Sequence, residues 1–527
     1  MFLRFKTLAA GCLLSFAVPS LAQQTVWSTD IAPILYNNCA SCHRPSGIAP
    51  FSLLTYQDAS IYGSAIAGAV SARRMPPWPP DPEYNRLAHE RILSENDIQK
   101  IVSWVNNGKP EGDPTLAPPT PVFSNDGQLP GTPDLVLQIP EYTSTASMGD
   151  VYQCFVIPSN LANDRFFTAF EAVPGNKSIV HHVLVYADTS GVCAQLDAAT
   201  PEPGYTSFGG VGSNDAMLIG GWVPGTQPQV YPPGFGVRIP AGADIVIQIH
   251  YPAGSAGLVD STKINFYFSP GFVRPVFIDP AINHFFGLTN GPLIIPANET
   301  KTFHAEFPVP AGYNFSVLGV APHMHLIGRN IHSYVVSPAG DTTRFIRINN
   351  WDFHWQGFYM LPKIVKVEEG STLHAFAHFD NTTNNPLNPN NPPQTVYAGE
   401  STTDEMMLIY FLYTVYLPGD ENIVIDTIYP LNVTHREPYY KGQQLLQVYP
   451  NPAKEEILVK LYSDKKDNFS AFLVNMNGQI VHVYKEESLS EPGYHVFRYR
   501  LPALAPGMYQ LQLRGSSQTF TEKILIQ

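Results

Sequence analysis

Residues 314–328 read NFSVLGVAPHMHLIG. In an extended strand alternate side chains share a face, so His323 and His325 point one way and Met324 the other. Two imidazoles side by side on one face form half of a metal site. The plainer alternative is two histidines satisfied by hydrogen bonds at a strand end, since a short motif alone is only a hypothesis. The neighbouring sequence has to choose between them.

Moving outward, the same texture recurs: SIVHHVLVY at 178–186, ADIVIQIHY at 243–251 and MMLIYFLY at 406–413 are short apolar strands set between Pro/Gly turns. That pattern predicts β-sandwiches. With 527 residues the chain is too long for one core, and 49 Pro, 39 Gly and only 14% charged residues suit β-rich domains. A formal charge of −13 argues against a nucleic-acid partner. No apolar run of about 18 residues follows the N-terminus, so no spanning helix is expected.

The chain begins MFLRFKTLAAGCLLSFAVPSLAQQ, with Arg4 and Lys6, an apolar stretch and Ser20-Leu21-Ala22 as a cleavage site. Residues 1–22 therefore read as a secretory signal, with a lipoprotein attached through Cys12 as the alternative. Export permits disulfides. Within 25–112 lies NNCASCHRPSG: Cys39 and Cys42 can form thioethers to haem while His43 ligates its iron, the competing reading being a redox C-x-x-C. A helix is predicted from an N-cap at Ser94, with Asp97 three residues on and Ile98, Ile101, Val102 and Val105 on one face. Gly108 and Pro110 end it. This segment resembles a small cytochrome c domain, and that resemblance implies a covalent c-type haem. Met75, in ARRMPPWPP, is either its sixth iron ligand or a packing side chain.

Residues 113–133 form a proline-rich linker. At the other end Asn477-Gly478, set between alternating strands, signals a type I′ hairpin. Residues 445–527, through Tyr449-Pro450-Asn451-Pro452 and Gly507-Met508-Tyr509, resemble the type A C-terminal sorting domain of the type IX secretion system. That implies passage through the periplasm of a Gram-negative bacterium by this machinery, then release or attachment at the cell surface.

In the middle region the ordered set HHVLVY, IQIHY, HMHLIGR and TTDEMMLIYFLY resembles the copper type II, ascorbate-dependent monooxygenases, the peptidylglycine and dopamine hydroxylating enzymes. The resemblance implies two packed copper-binding β-sandwich subdomains, 134–270 and 271–432. It implies two copper ions: one for electron transfer on His181, His182 and His250, one for catalysis on His323, His325 and Met406. Imidazole serves both copper oxidation states and a thioether favours Cu(I). Adjacent His181 and His182 can share an ion only at a strand end or bulge. Met407 matches less well than Met406. The resemblance further implies a disulfide between Cys154 and Cys193, worth about 4 kcal/mol in the chain-entropy model.

The pattern also departs from that family. Peptidylglycine enzymes hold a substrate carboxylate with an Arg before H-x-H and an Asn after the Met; here those positions are Ala321 and Leu408. Tyr410 keeps the family's tyrosine, either as a hydrogen-bond donor at the site or as a packed strand residue. The polar stretch 380–400 is either a pocket wall or a surface loop. The expectation is a mainly β protein with a small α-helical cytochrome c domain in front and a small β-sandwich sorting domain behind. Its expected activity is a haem-linked copper monooxygenase taking O2, a small-molecule substrate and electrons from ascorbate or a redox protein. The alternative is an extracellular electron-transfer or copper-binding protein without hydroxylase activity.

Overall fold

The computed structural model describes residues 24–425 and 446–526, apart from positions 46, 124–126, 130, 209, 272, 354, 450–451, 464–466, 476–478, 485–486, 490–492 and 516–518. The signal segment, Pro450-Asn451 and the Asn477-Gly478 turn lie outside the described residues. The protein is mainly β, with a small helical region near its N-terminus. It divides into two compact units, the boundary falling at 435/436.

Three helices open the first unit: α1 (Ala32–Asn38), α2 (Tyr56–Ser71) and α3 (Glu95–Asn106). The Ser94 hydroxyl accepts the Asp97 N–H at 3.1 Å and caps α3, as the sequence predicts. Gly108, at φ +83°, takes the left-handed turn after it. Ile31, Leu35, Ile98, Ile101 and Trp104 make a separate core here, with Trp27 packed against Tyr36, Tyr56 and Trp104. This region is docked rather than dangling. Asp81 N–H donates to Arg347 O at 2.7 Å, and its carboxylate accepts from the Arg347 guanidinium at 2.9 and 2.6 Å. Ala88 N–H donates to Met360 O at 2.8 Å.

Two sandwiches follow. The first pairs β1 (Leu135–Gln138), β8 (Lys263–Phe268), β3 (Arg165–Val173) and β6 (Phe235–Ile239) in one sheet. Its second sheet holds β2 (Val151–Pro158), β7 (Asp244–Tyr251), β4 (His182–Asp188) and β5 (Met217–Trp222), in that spatial order, and two-residue strands extend both sheets. The second sandwich stacks β9 (Phe277–Asn283), β16 (Leu408–Val415), β11 (Phe315–His323) and β14 (Tyr359–Val367). Facing them are β10 (Thr300–Pro308), β15 (Thr372–Asp380), β12 (Gly328–Val336) and β13 (Thr342–Ile348). Phe155, Phe167, Phe170 and Phe266 fill the first core and Phe303, Phe345 and Phe379 the second. The first core continues into Ile278, Leu318 and Leu412 of the second sandwich, so the two share apolar contact.

β7 explains why its histidine is placed so firmly. It lies between β2 and β4, and every residue from Ile245 to Tyr251 is buried. A strand covered on both faces reads as a continuous apolar run. His250 sits near its end, opposite His182 of β4.

The disulfide expected between Cys154 and Cys193 is not formed. The two thiols share a small buried cluster with Tyr205, Val211 and Val246, Cys193 arriving on α4 (Val192–Ala198). Each sulfur is engaged by another group. Cys193 Sγ donates to Val211 O at 3.3 Å, and Cys154 Sγ accepts from Gln248 Nε2 at 3.7 Å. Burial pushes the thiols up to about 12 and about 11, which keeps both protonated.

The second unit contains a three-stranded sheet (Leu446–Tyr449, Glu456–Ser463, Gly493–Arg500) and a larger one led by Asp467–Asn475 and Gly507–Arg514. Ile457, Val459, Phe469, Leu511 and Phe520 form its core.

Candidate metal centres and the cleft between them

His181 and His182 do not fall on opposite faces, because β4 begins at His182. His181 precedes the strand and its backbone N–H donates to His250 O at 2.9 Å. Three Nδ1 atoms therefore converge, with separations of 3.3 Å (His181–His182), 3.0 Å (His181–His250) and 3.4 Å (His182–His250). Metal–imidazole bonds of about 2.0 Å place donors roughly 3.3–3.5 Å apart, so the triangle has the dimensions of a metal site. On the far side of its ring, His250 Nε2 lies 3.1 Å from the Asp150 carboxylate. This is the carboxylate–histidine arrangement that orients a metal ligand. The same contact holds the Asp150 carboxyl below its usual range. Tyr152 stacks on His250 at 4.3 Å. Burial, reinforced by the neighbouring imidazoles, holds His182 well below the ordinary histidine value, in the neutral form that ligation needs.

The H-x-H pair behaves as its alternation predicts: Met324 is buried in the core of the second sandwich while His323 and His325 sit 5.0 Å apart, their rings perpendicular. His323 Nδ1 bonds the Gln356 Oε1 and His325 Nδ1 lies 3.1 Å from Asp404 O. Each Nδ1 thus carries the proton and each Nε2 is left as a donor to metal. Burial takes His323 down to about 3 and His325 to about 4. Met406 is buried at the same cleft, whereas Met407 belongs to the core. Two imidazoles and a thioether are a donor set that suits copper in its reduced state.

Glu405 joins the two ligand segments. It is fully buried, and its carboxylate accepts N–H groups from His325 (2.9 Å), Ile327 (2.8 Å) and Met406 (3.1 Å). His284, also buried, accepts the Met407 N–H at 3.3 Å.

A cleft of about 360 Å³ opens between the two centres, lined by His182, Tyr186, His323, His325, Met406 and Tyr410 among others. Ala321 and Leu408 line it too, and among the described residues no Lys or Arg does. Tyr410 is pushed up to about 12 by burial, ahead of the nearby acid Glu400. Exposed Phe285 and Phe286 form part of the rim. From the polar stretch 380–400 only Glu400 reaches the cleft; Asn381 instead clamps the loop, donating to Ile295 O, Pro296 O and Gln394 O. Phe353 stands between the centres, its ring 6.0 Å from His181 and 6.0 Å from His325.

At the C-x-x-C-H segment Cys39 and Cys42 are separate thiols. His43 Nδ1 lies 3.2 Å from Phe51 O, which leaves Nε2 for a metal, and burial lowers its pKa. This donor chemistry fits a covalent haem. Gly225, at φ +76°, lies against the segment: a Cβ there would stand 3.3 Å from Cys42 Sγ and 3.7 Å from Trp355. Met75 is exposed and lines a cavity of about 390 Å³ with Arg73, Trp78, Arg91 and Leu93; His43 does not line it. Four of the six copper-ligand candidates, His182, His323, His325 and Met406, line one cleft, and His181 and His250 adjoin it through His182; Met75 and His43 are not paired across one cavity.

Asp150, Phe353, Gln356, Glu400 and Glu405 were not singled out from the sequence. The acid preceding Met406 was the one readable signal among them, because an acid inside an apolar approach demands partners.

Residues 293–425 match the family model of the copper type II ascorbate-dependent monooxygenase, C-terminal domain. This match takes in His323, His325, Phe353, Gln356, Glu405, Met406 and Tyr410, and it implies copper and oxidoreductase chemistry. Residues 447–527 match a secretion system C-terminal sorting domain, which implies a secreted or cell-surface protein. Solved structures overlap only loosely. A β-glucuronidase of Parabacteroides merdae is 12% identical over 50% of this chain and 31% of its own, with a TM-score of 0.12. One of Ruminococcus gnavus is 12% identical over 44% and 36%, with a TM-score of 0.11. The peptide:N-glycanase F is 11% identical over 54% and 96%, at 0.22. The chain thus spans about a third of the glucuronidases' length, and none of these overlaps carries an argument.

Proposed function

We propose that this protein is a secreted copper monooxygenase that inserts one oxygen atom of O2 into a C–H bond of a small organic substrate. In this reading His181, His182 and His250 hold an electron-transfer copper, and His323, His325 and Met406 a catalytic one. The observation that carries it is the cleft lined by His182 of the first donor set and by all three donors of the second, with the Phe353 ring 6.0 Å from His181 and 6.0 Å from His325. When bound, copper supplies oxygen activation and electron storage there, and a c-type haem on Cys39, Cys42 and His43 an entry point for electrons.

The chain's own residues prepare the chemistry. Asp150 fixes the His250 ring, while Gln356 and the Asp404 carbonyl turn the Nε2 atoms of His323 and His325 away from their own hydrogen bonds. Tyr186, Phe353 and Phe358 put aromatic surface on the cleft beside the polar Gln248, Asn283, Gln356 and Glu400. Tyr410 stays protonated and serves as a hydrogen-bond donor to substrate. With Ala321 and Leu408 in place of a carboxylate clamp, a C-terminal glycine peptide is not the substrate.

Support for the haem link comes from residues 353–356. Trp355 and Cys42 both lie against Gly225, and on the same segment Phe353 and Gln356 touch the two histidine clusters. Ascorbate or an external redox protein would reduce the haem. Residues 1–22 would direct the chain to the periplasm, and the sorting domain would pass it to type IX secretion machinery. The second reading, an electron-transfer or copper-binding protein without a substrate, is favoured by the missing clamp alone.

Two measurements test the proposal. Pre-reduced haem should be reoxidised by air much faster in copper-loaded than in copper-stripped protein; equal rates would remove the haem-to-copper chain. A substrate screen by O2 uptake decides hydroxylation: copper binding with no substrate-dependent uptake leaves the second reading.

A further inference from the structure

On the outer face of the second sandwich, away from the cleft, β10 and β15 run antiparallel with Glu306 directly opposite His374. His304 is two residues before Glu306 and so shares its face. Three donor atoms meet there. His304 Nε2 is 3.1 Å from His374 Nδ1, and the Glu306 carboxylate oxygen is 3.7 Å from the first and 3.5 Å from the second.

Those distances separate two explanations. The 3.1 Å between the two imidazoles suits a hydrogen bond as well as a shared ion, but a network including the carboxylate would draw it to about 2.7–3.2 Å, and neither imidazole is that close to it. Donors sharing one ion through bonds of about 2.0–2.2 Å lie roughly 3.0–3.5 Å apart, close to what is observed. The rings are also held in place. Thr289 Oγ1 lies 2.9 Å from His304 Nδ1, which commits that nitrogen and leaves Nε2 directed at the cluster. His304 stacks on Phe376 at 4.2 Å, His374 on Tyr334 at 5.0 Å, and the two imidazoles are parallel to within 3°. Side-chain exposures of 22% for His304, 16% for His374 and 41% for Glu306 leave a solvent-facing side for water ligands or a further group.

We propose that His304, Glu306 and His374 form a third metal site, one that binds a divalent transition-metal ion such as zinc independently of the copper-ligand candidates. Two imidazoles and one carboxylate are borderline donors that take zinc, nickel or copper(II) over calcium or magnesium. The site lies on an edge: β10 is the outermost strand of its sheet. An ion held there fastens β10 to β15 and stabilises the edge strand.

The test is zinc retained by the full-length protein after gel filtration in micromolar free zinc, measured by elemental analysis. Wild type, His374→Ala, Glu306→Gln and His250→Ala are compared, each checked for its fold by circular dichroism. His374→Ala should lose one zinc equivalent, Glu306→Gln should hold that equivalent more weakly, and His250→Ala should keep it. Zinc should also raise the melting temperature of wild type more than that of His374→Ala. Glu306→Gln preserves shape and stands in if His374→Ala fails to fold. Equal zinc content in wild type and both site variants overturns the proposal. Failure of the copper reading would show separately, as unchanged copper content in copper-loaded His250→Ala.

Discussion

The two candidate copper centres are built in different ways. In the first, strand register does most of the assembly: His182 and His250 face each other on adjacent strands, His181 is bonded to the end of the same pair, and the donors stand 3.0–3.4 Å apart. In the second, the donors come from a strand end and from the approach to β16, and each is positioned by its own tether: Gln356, the Asp404 carbonyl and Glu405. The first is rigid because a sheet cannot slip by one residue without turning every side chain over. The second depends on a few buried hydrogen bonds, which suits a centre that must admit oxygen and substrate.

Breaking the first centre should have the largest effect. His250→Ala removes a donor and leaves Asp150 half-buried without its partner. The protein should lose the one copper equivalent of this centre on dialysis and keep that of the second centre, as elemental analysis would show. If both were lost, the centres would not be independent. Next, Phe353→Ala empties a buried aromatic position between them, costing about 3–5 kcal/mol in chemical denaturation. It should also slow haem reoxidation in the copper-loaded protein. Glu405→Gln should cost about 1–3 kcal/mol, because one buried N–H loses its acceptor, and should loosen only the second centre. Equal loosening of the first centre would contradict the separation drawn here.

Asp150→Asn sharpens the comparison from the other side. It should weaken copper at the three-histidine centre by about 10–100-fold and leave the second unchanged. The smallest effect belongs to Asp81. Burial alone would raise its carboxyl, but bonds from Arg347, the Glu83 N–H and Asn349 outweigh this and hold it below the ordinary value. A depressed carboxyl contributes stability above its unfolded value of about 3.9 and loses it as pH falls through the folded one. Asp81→Asn should therefore cost under about 1 kcal/mol at pH 7, given the partly exposed Arg347, and remove part of the acid sensitivity below pH 4.

The H-x-H pair and His250 were legible because they follow strand periodicity, whereas the histidine doublet converges only because His181 lies outside β4. The α3 cap was legible for a similar local reason. Phe353 and Gln356 were not, since the segment carrying them has no period and acquires its role only when β4, β7 and β11 converge on it. Asp150 is an ordinary turn acid until β2 meets the end of β7. Cys154 and Cys193 show the reverse case. The resemblance implied their pairing; in the structure they share one cluster as separate thiols, Cys193 bonded to Val211 O and Cys154 to Gln248.

The contacts of residues 81–91 with the two sandwiches have a further consequence. Asp81, Ala88 and Arg91 attach the helical region through Arg347, Met360 and Gly225. Covalent continuity through residues 113–133 is then not what holds Cys42 against Gly225. A chain cut once in that linker should still elute as a single complex, because a docked surface, not the effective concentration of a tether, holds the two parts together.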